Sequence, residues 1–349
     1  MKIITCASFY ASGSSALTDL VAEYEGVCDL TDYEFRFLHD IDGVSDLEYQ
    51  LVDCHNRHNA GHALKRFERL SRFNAGTFFN SRYEPFFNNQ YMKLTKEYIN
   101  NLTDFKFKGW WFYDLYDKGR FFYYTKQMQQ RIISKLPGEH KGILAKEETY
   151  CSHPSREKFL KCTREYVSKL MHAANSENMP YLEIDQIVPS QNLNKILRYF
   201  SDEICVFIVD RDPRDVYALE HLYLHERICP SQDVNEFCDW YLYTHKSGNP
   251  EEYDKNVVRR LQFEDLIYNY ERVLPDIERF IGLDSSQHKN QYSKLNPLRS
   301  VHNTQIWKGK GIDKDIEIIQ NRLGEYLYDF DSVKENSIVG IPVCDKTVF

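Results

Sequence analysis

The pattern of apolar and polar positions predicts a chain in which strands alternate with helices. Residues 3–8 form a short apolar run with β-branched Ile3, Ile4 and Thr5, which predicts a buried strand. A Ser/Gly loop follows. From Ser14 to Tyr24, apolar residues recur at 16, 17, 20, 21 and 24, the spacing of one helix face. The chain thus opens as strand, loop, helix. Leu30, Tyr33, Phe35 and Phe37 predict an extended segment near a site. Residues 55–135 are rich in helix formers and aromatics and predict mostly helix, with a strand over 108–116. Pro137-Gly138 breaks that pattern, and another strand is expected over 142–146. A helix over 154–175 has Ser152 or Ser155 as its cap. Strands are expected at 181–184 and 257–262, and the clearest buried strand is Ile204–Val209. Helices are expected over 191–200, 215–225, 270–281 with Gly282 as C-cap, and 315–328.

Strands alternating with helices imply an α/β fold, a parallel sheet flanked by helices. One domain is expected over 1–335, with a helical insertion at about 55–175 on the acceptor side and a surface tail over 336–349.

Composition narrows the function classes. The chain has 349 residues, 42% hydrophobic and 28% charged, enough apolar material for a sizeable core. Its net charge of -8 argues against a broad nucleic-acid footprint, although a few local cations can still hold a small anion. The nine cysteines are odd in number and form no CxxC, so neither a disulfide framework nor a zinc site is expected. The N-terminus turns polar within a dozen residues and no run approaches the length of a membrane span. A cytoplasmic location is therefore expected, with no transmembrane segment. Oligomeric state is not legible.

Aromatics reach 15% of the chain, and core packing is the first reading for them. It is also the first reading for Trp110–Tyr113 and Phe121–Tyr124, with stacking platforms for an acceptor as the alternative. His55, His58 and His62 carry no HExxH and are read as a solvated helix face. Arg57, Lys65, Arg66, Arg69 and Arg72 read as a charged helix exterior, or as a surface for an anionic glycan.

The candidate chemistry starts at Phe9-Tyr-Ala-Ser-Gly-Ser-Ser15. A glycine between strand and helix permits a tight turn, and amides at the helix start then face an anion. Ser12, Ser14 and Ser15 add hydroxyls. The loop is not a Walker A motif, which needs a lysine that is absent here, nor is it GxGxxG.

A second segment, Val206-Phe-Ile-Val-Asp-Arg-Asp-Pro-Arg-Asp-Val216, runs a strand into Arg-Asp-Pro-Arg-Asp. Leu261-Gln-Phe-Glu-Asp-Leu266 precedes a helix ending in Gly282-Leu283, and Trp307-Lys-Gly-Lys-Gly311 forms a late loop. Together and in this order, these segments resemble the sulfotransferases that use 3′-phosphoadenosine 5′-phosphosulfate (PAPS). The resemblance covers roughly 3–25, 181–225, 258–283 and 300–330. It implies a P-loop-like nucleotide-binding fold that takes PAPS as co-substrate, with no metal, and transfers a sulfuryl group to a hydroxyl. The acceptor would be a glycan, a lipid or a small molecule.

By the same resemblance, Ser12, Gly13, Ser14 and Ser15 would cradle the 5′ end. Arg211 would pair with the 3′-phosphate, and Lys308, Gly309 and Lys310 would close over that end. Arg214 and Asp215 would cap the helix and brace the loop. The sequence departs from the family at Ala11, where the loop cation is expected, and at Leu219, where a phosphate-binding Ser is common. Lys146, Lys308 and Lys310 are candidate substitutes for the cation, with Lys310 assigned the catalytic role. Glu34 matches the general base of one branch, with His39, His153 and Glu147 as alternatives. Two other functions stay open. One is a P-loop kinase-like phosphotransferase, and the other a nucleotide- or glycan-binding protein that kept the fold without the chemistry.

Overall fold

The computed structural model describes residues 1–77, 79–137, 142, 144–246 and 251–333. The expected surface tail at 336–349 and the break at Gly138 lie outside the described residues. The elements that matter here, in chain order, are β1 (Lys2–Cys6), α1 (Ser14–Val21), β2 (Val27–Glu34), α2 (Arg57–Ala75), α3 (Tyr91–Leu102), α4 (Gly119–Ile133), α5 (Arg156–Ala174), β3 (Tyr181–Asp185), β4 (Glu203–Asp210), α6 (Pro213–Leu219), α7 (Val234–Lys246), β5 (Val258–Gln262), α8 (Phe263–Tyr268), α9 (Tyr270–Ile281) and α10 (Asp313–Arg322). They fall into two compact units. One comprises 1–35, 177–194 and 202 onward, and the other 36–176 with 195–201.

The first unit is built on a five-stranded sheet in the order β2-β3-β1-β4-β5, every pair parallel. Parallel strands need crossovers, and the helices that supply them flank the sheet. Consecutive residues Ile3, Ile4, Val206 and Phe207 are all essentially inaccessible, so both faces of the central strands are covered. This explains why these strands read as unbroken apolar runs. On one face, Ile4, Cys6, Phe207 and Val209 pack against Leu17, Leu20 and Val21 of α1 and against Leu266, Ile277 and Ile281 of α8 and α9. The architecture is the α/β fold expected from the pattern, with a P-loop-like order of strands. Gly282 ends α9 in the left-handed region, at φ 87°, as a C-cap glycine should.

The second unit is mostly helical. Its core is aromatic: Phe37, Phe67, Tyr83, Phe87, Tyr91, Tyr98 and Tyr166 meet edge-to-face or stacked at centroid separations between 4.5 and 6.4 Å. The buried hydroxyls of Tyr98 and Tyr166 find Thr163 and Thr95, each at 2.8 Å, which removes the penalty of placing them there. Ser155, and not Ser152, caps α5 by accepting from the N–H of Lys158.

Several boundaries differ from the sequence expectation. The strand placed at 108–116 is Phe105–Lys108, paired antiparallel with Glu148–Cys151, and Tyr113–Tyr116 is helical. Residues 144–146, expected as strand, form a turn before that partner strand. The helix expected over 215–225 is α6 followed by a wider turn, Glu220–Leu224, and the last long helix, α10, ends at Arg322. Core packing for two aromatic runs is also corrected, since Trp110, Phe112, Phe121 and Tyr124 are exposed.

Candidate phosphate site

The loop of interest leaves the carboxyl end of β1, flanked by β3 on one side and β4 on the other. In open parallel sheets, the point where the strand order reverses opens a crevice for ligands. The backbone is left-handed at Ala11 (φ 58°) and again at Gly13 (φ 79°). Gly13 is required twice over. Its φ suits glycine, and a Cβ there would stand 2.6 Å from Cδ2 of Phe263. α1 begins at the next residue, so the N–H groups of Ser14 and Ser15 lack helical acceptors and carry the positive end of its dipole, while that of Ala16 donates to the Gly13 carbonyl at 3.0 Å. Ser12 is buried, Ser14 is half-buried and Ser15 is exposed.

Unmatched buried polar atoms occur in both units, Ser71 Oγ, Asn74 Nδ2 and Tyr91 OH of the helical unit among them, and several belong to this loop and its neighbours. Ser8 Oγ, Ser12 Oγ, Arg211 Nε, Gln262 Oε1, Glu264 Oε2 and Trp307 Nε1 are buried with no hydrogen-bond partner among the described residues. Buried polar atoms are nearly always paired, so a cluster of exceptions calls for an explanation.

The Arg-Asp-Pro-Arg-Asp segment braces the loop. Arg211, 5% exposed, donates from Nη1 to the Ala11 carbonyl (3.1 Å) and from Nη2 to the Asn303 carbonyl (2.6 Å). Its guanidinium lies 5.0 Å from the Phe263 ring centroid. Burial lowers its pKa, against the raising influence of Asp215, Glu264 and Asp212. Asp212 caps α6 through the N–H of Arg214 (2.9 Å), and receives the Arg214 side chain at 2.9 and 2.6 Å. Asp215 accepts the N–H groups of Gln305 and Ile306, both at 2.8 Å. That contact pins the start of the loop carrying Lys308, Gly309 and Lys310. Trp307 packs against the same apolar cluster as Tyr10 and Ala11 of the first loop. Gly309 and Gly311 both have positive φ.

Ala11 gives the first loop no charge of its own. Lys308 and Lys310 are exposed, their Nζ atoms 5.7 Å from the Trp307 ring and 5.8 Å from the Tyr223 ring. Lys146 belongs to the helical unit. Leu219 packs with Ala218 and Ile306 in an apolar cluster, so that position offers no hydroxyl.

Glu34 ends β2, is exposed, and pairs in register with Asp185 at the end of β3. Burial and the charge of Glu34 push the Asp185 carboxyl up to about 7, opposed by a hydrogen bond from the N–H of Gln186. Of the alternative bases, His153 stacks on His55 at 3.6 Å, and Glu147 lies within 3.6 Å of Lys118. His39, His153 and Glu147 all belong to the helical unit. The histidine trio is not a solvated face. His58 stacks on Trp111, and His62 is buried with Nε2 2.8 Å from Asp117.

Three features were not anticipated from the sequence. Asp185 could have been found by noting that it ends a strand of the same sheet as the loop. Glu264 lies just past β5, which stops at Gln262, in the first turn of α8, and accepts the N–H of Asp212 at 2.9 Å. His245 stacks between Phe9 of the loop and Tyr241, at 3.9 Å from each, and no local pattern signals that contact.

The chain matches no protein-family model and no curated protein. Among solved structures it is similar to the sulfotransferase domain from the Synechococcus PCC 7002 olefin synthase. The identity is 15%, the match covers 85% of this chain and 77% of that one, and the TM-score is 0.36. A likeness this distant says nothing of activity. Among the described residues, no helix is long and apolar enough to cross a membrane.

Proposed function

We propose that the first unit binds PAPS and transfers its sulfuryl group to a hydroxyl-bearing acceptor. One observation carries the proposal. Arg211 hydrogen-bonds the phosphate-type loop at Ala11, and the same five-residue motif, through Asp215, holds the Lys308–Lys310 loop beside it. The segments quoted for the sulfotransferase resemblance thus meet in one place.

In this reading the first-turn amides of α1 and the hydroxyls of Ser12, Ser14 and Ser15 receive the 5′-phosphosulfate. Arg211 faces the 3′-phosphate, with Lys308 and Gly309 closing over it. The acceptor oxygen forms its bond to sulfur as the bond from sulfur to the bridging phosphate oxygen breaks, releasing 3′,5′-adenosine bisphosphate. Lys310 neutralises the charge growing on that bridging oxygen, which Ala11 cannot do. The acceptor proton passes to Glu34. Asp185, with its carboxyl near neutrality, takes part in holding that proton.

Arg211→Ala tests the cofactor assignment. It should weaken 3′,5′-adenosine bisphosphate far more than adenosine 5′-monophosphate in calorimetric titrations. Equal losses would refute the 3′-phosphate role and leave Arg211 as a brace for the loop. Ala11 favours a second reading, a nucleotide-binding protein without transferase activity. Bisphosphate binding without transfer of labelled sulfur from PAPS to any glycan, lipid or phenol would select it.

A further inference from the structure

We infer that α4, in the helical unit, is a docking surface for an anionic lipid membrane. The helix carries apolar side chains on its solvent face as well as on its inner one. Phe121, Tyr124, Met128 and Ile132 recur every three or four residues and so share one face, and they are 84, 62, 61 and 60% exposed. Leu136 continues the stripe just beyond the helix and is also exposed. The face turned toward the unit's own body holds the half-buried Phe122, Tyr123, Lys126, Gln127 and Ile133, and none of the helix's residues is fully buried. A solvated helix in a folded unit normally keeps its outer face polar.

Charge selects the occupant. Between 118 and 137 the chain carries Lys118, Arg120, Lys126, Arg131 and Lys135 and no Asp or Glu, although the whole chain has a net charge of -8. Arg120 and Arg131, both exposed, border the apolar stripe on the same side, given the step of about 100° per residue. Lys118 lies 3.6 Å from Glu147, and Lys126 donates to Gln129 at 2.9 Å. The aromatic side chains continue beyond the helix: Phe112 lies 6.4 Å from Tyr123 and 6.1 Å from Tyr116, and both Phe112 and Tyr116 are exposed. An apolar stripe with Phe, Tyr and Met, bordered by Arg and Lys and lacking acids, is the composition of a helix that lies in the headgroup region. A second copy of the chain would present the same basic surface and meet it with like charge.

The test is co-sedimentation of the full chain with vesicles of phosphatidylglycerol and phosphatidylcholine in equal parts, against vesicles of phosphatidylcholine alone. The chain should sediment with the first and stay in solution with the second, and raising salt should release it. Combining Phe121→Ser, Met128→Ser and Ile132→Ser should reduce binding at least about tenfold, since each removes apolar area from the contact. Arg120→Gln with Arg131→Gln should do so by about tenfold or more. None of these side chains is buried, so an unchanged thermal midpoint for each variant confirms that binding alone has been altered. No sedimentation with the anionic vesicles, or undiminished sedimentation of the triple-Ser chain, would overturn the inference. So would a concentration-dependent dimer that the triple-Ser change dissolves. The readout is independent of nucleotide, so the inference stands or falls apart from sulfuryl transfer.

Discussion

In the sheet unit, the hydroxyl of Ser12 and the Nε of Arg211 are buried without partners, whereas in the helical unit Phe121 and Met128 stand in solvent. Much of each unit obeys the ordinary partition of polar and apolar groups. The central strands are apolar on both faces, and in the aromatic core of the helical unit the buried hydroxyls of Tyr98 and Tyr166 are paired. The loop cluster and α4 depart from that partition in opposite senses. They differ in kind because they suit different ligands: unmatched donors inside suit a small anion, and unmatched apolar side chains outside suit a broad surface. Breaches of local rules are expected at functional places.

Substitutions can break or sharpen this contrast. Within the loop cluster the largest effect is expected at Gly13. Gly13→Ala imposes a left-handed alanine and drives a methyl group into the Phe263 ring, at a cost of about 3 kcal/mol from backbone strain and overpacking together. Chemical denaturation measures it, and a loss under about 0.5 kcal/mol, within the range of ordinary surface changes, would mean that the loop is not held as described. Next comes Asp215→Asn, which should cost about 2 kcal/mol by leaving one buried N–H of Gln305 or Ile306 without an acceptor. It should also open the Trp307–Gly311 loop to limited proteolysis. Unchanged cleavage would deny the brace.

A pH effect follows. Folding raises the Asp185 carboxyl to about 7, above the value of about 3.9 in an unfolded chain. The folded state keeps its proton while the unfolded state loses it, so stability falls as pH rises from about 4 to 7 and then levels off. Glu264, at about 8, and Asp215, at about 6, act in the same direction. Asp185→Asn should therefore flatten part of the decline in thermal midpoint over that window. An unchanged slope would contradict the raised pKa. The smallest effect is expected on α4, where Phe121→Ser should shift stability by less than about 0.5 kcal/mol. Phe67→Ala, in the aromatic core, should cost about 3–5 kcal/mol.

Much of the sheet was legible because its strands are buried on both faces and so stand out as apolar runs, Ile204–Val209 above all. The helical unit was harder to read. Phe105-Lys-Phe-Lys108 has the strict alternation of a strand, yet the denser aromatic run at 110–116 drew the strand assignment. Trp110, Phe112 and Tyr116 of that run are exposed, and an exposed apolar side chain cannot be told from a buried one by sequence. In the site, the loop and the Arg-Asp-Pro-Arg-Asp motif were visible as contiguous patterns. Asp185, Glu264 and His245 were not, because each joins the site through a contact between distant segments, such as Phe9 with His245.

The central claim is that the loop at 9–15 and Arg211 form one nucleotide site, and calorimetric titration of the unmodified chain tests it most directly. With 3′,5′-adenosine bisphosphate as titrant, the account predicts one-site saturable binding, tighter than that of ATP with magnesium. Absence of bisphosphate binding, or a preference for magnesium ATP, would contradict it.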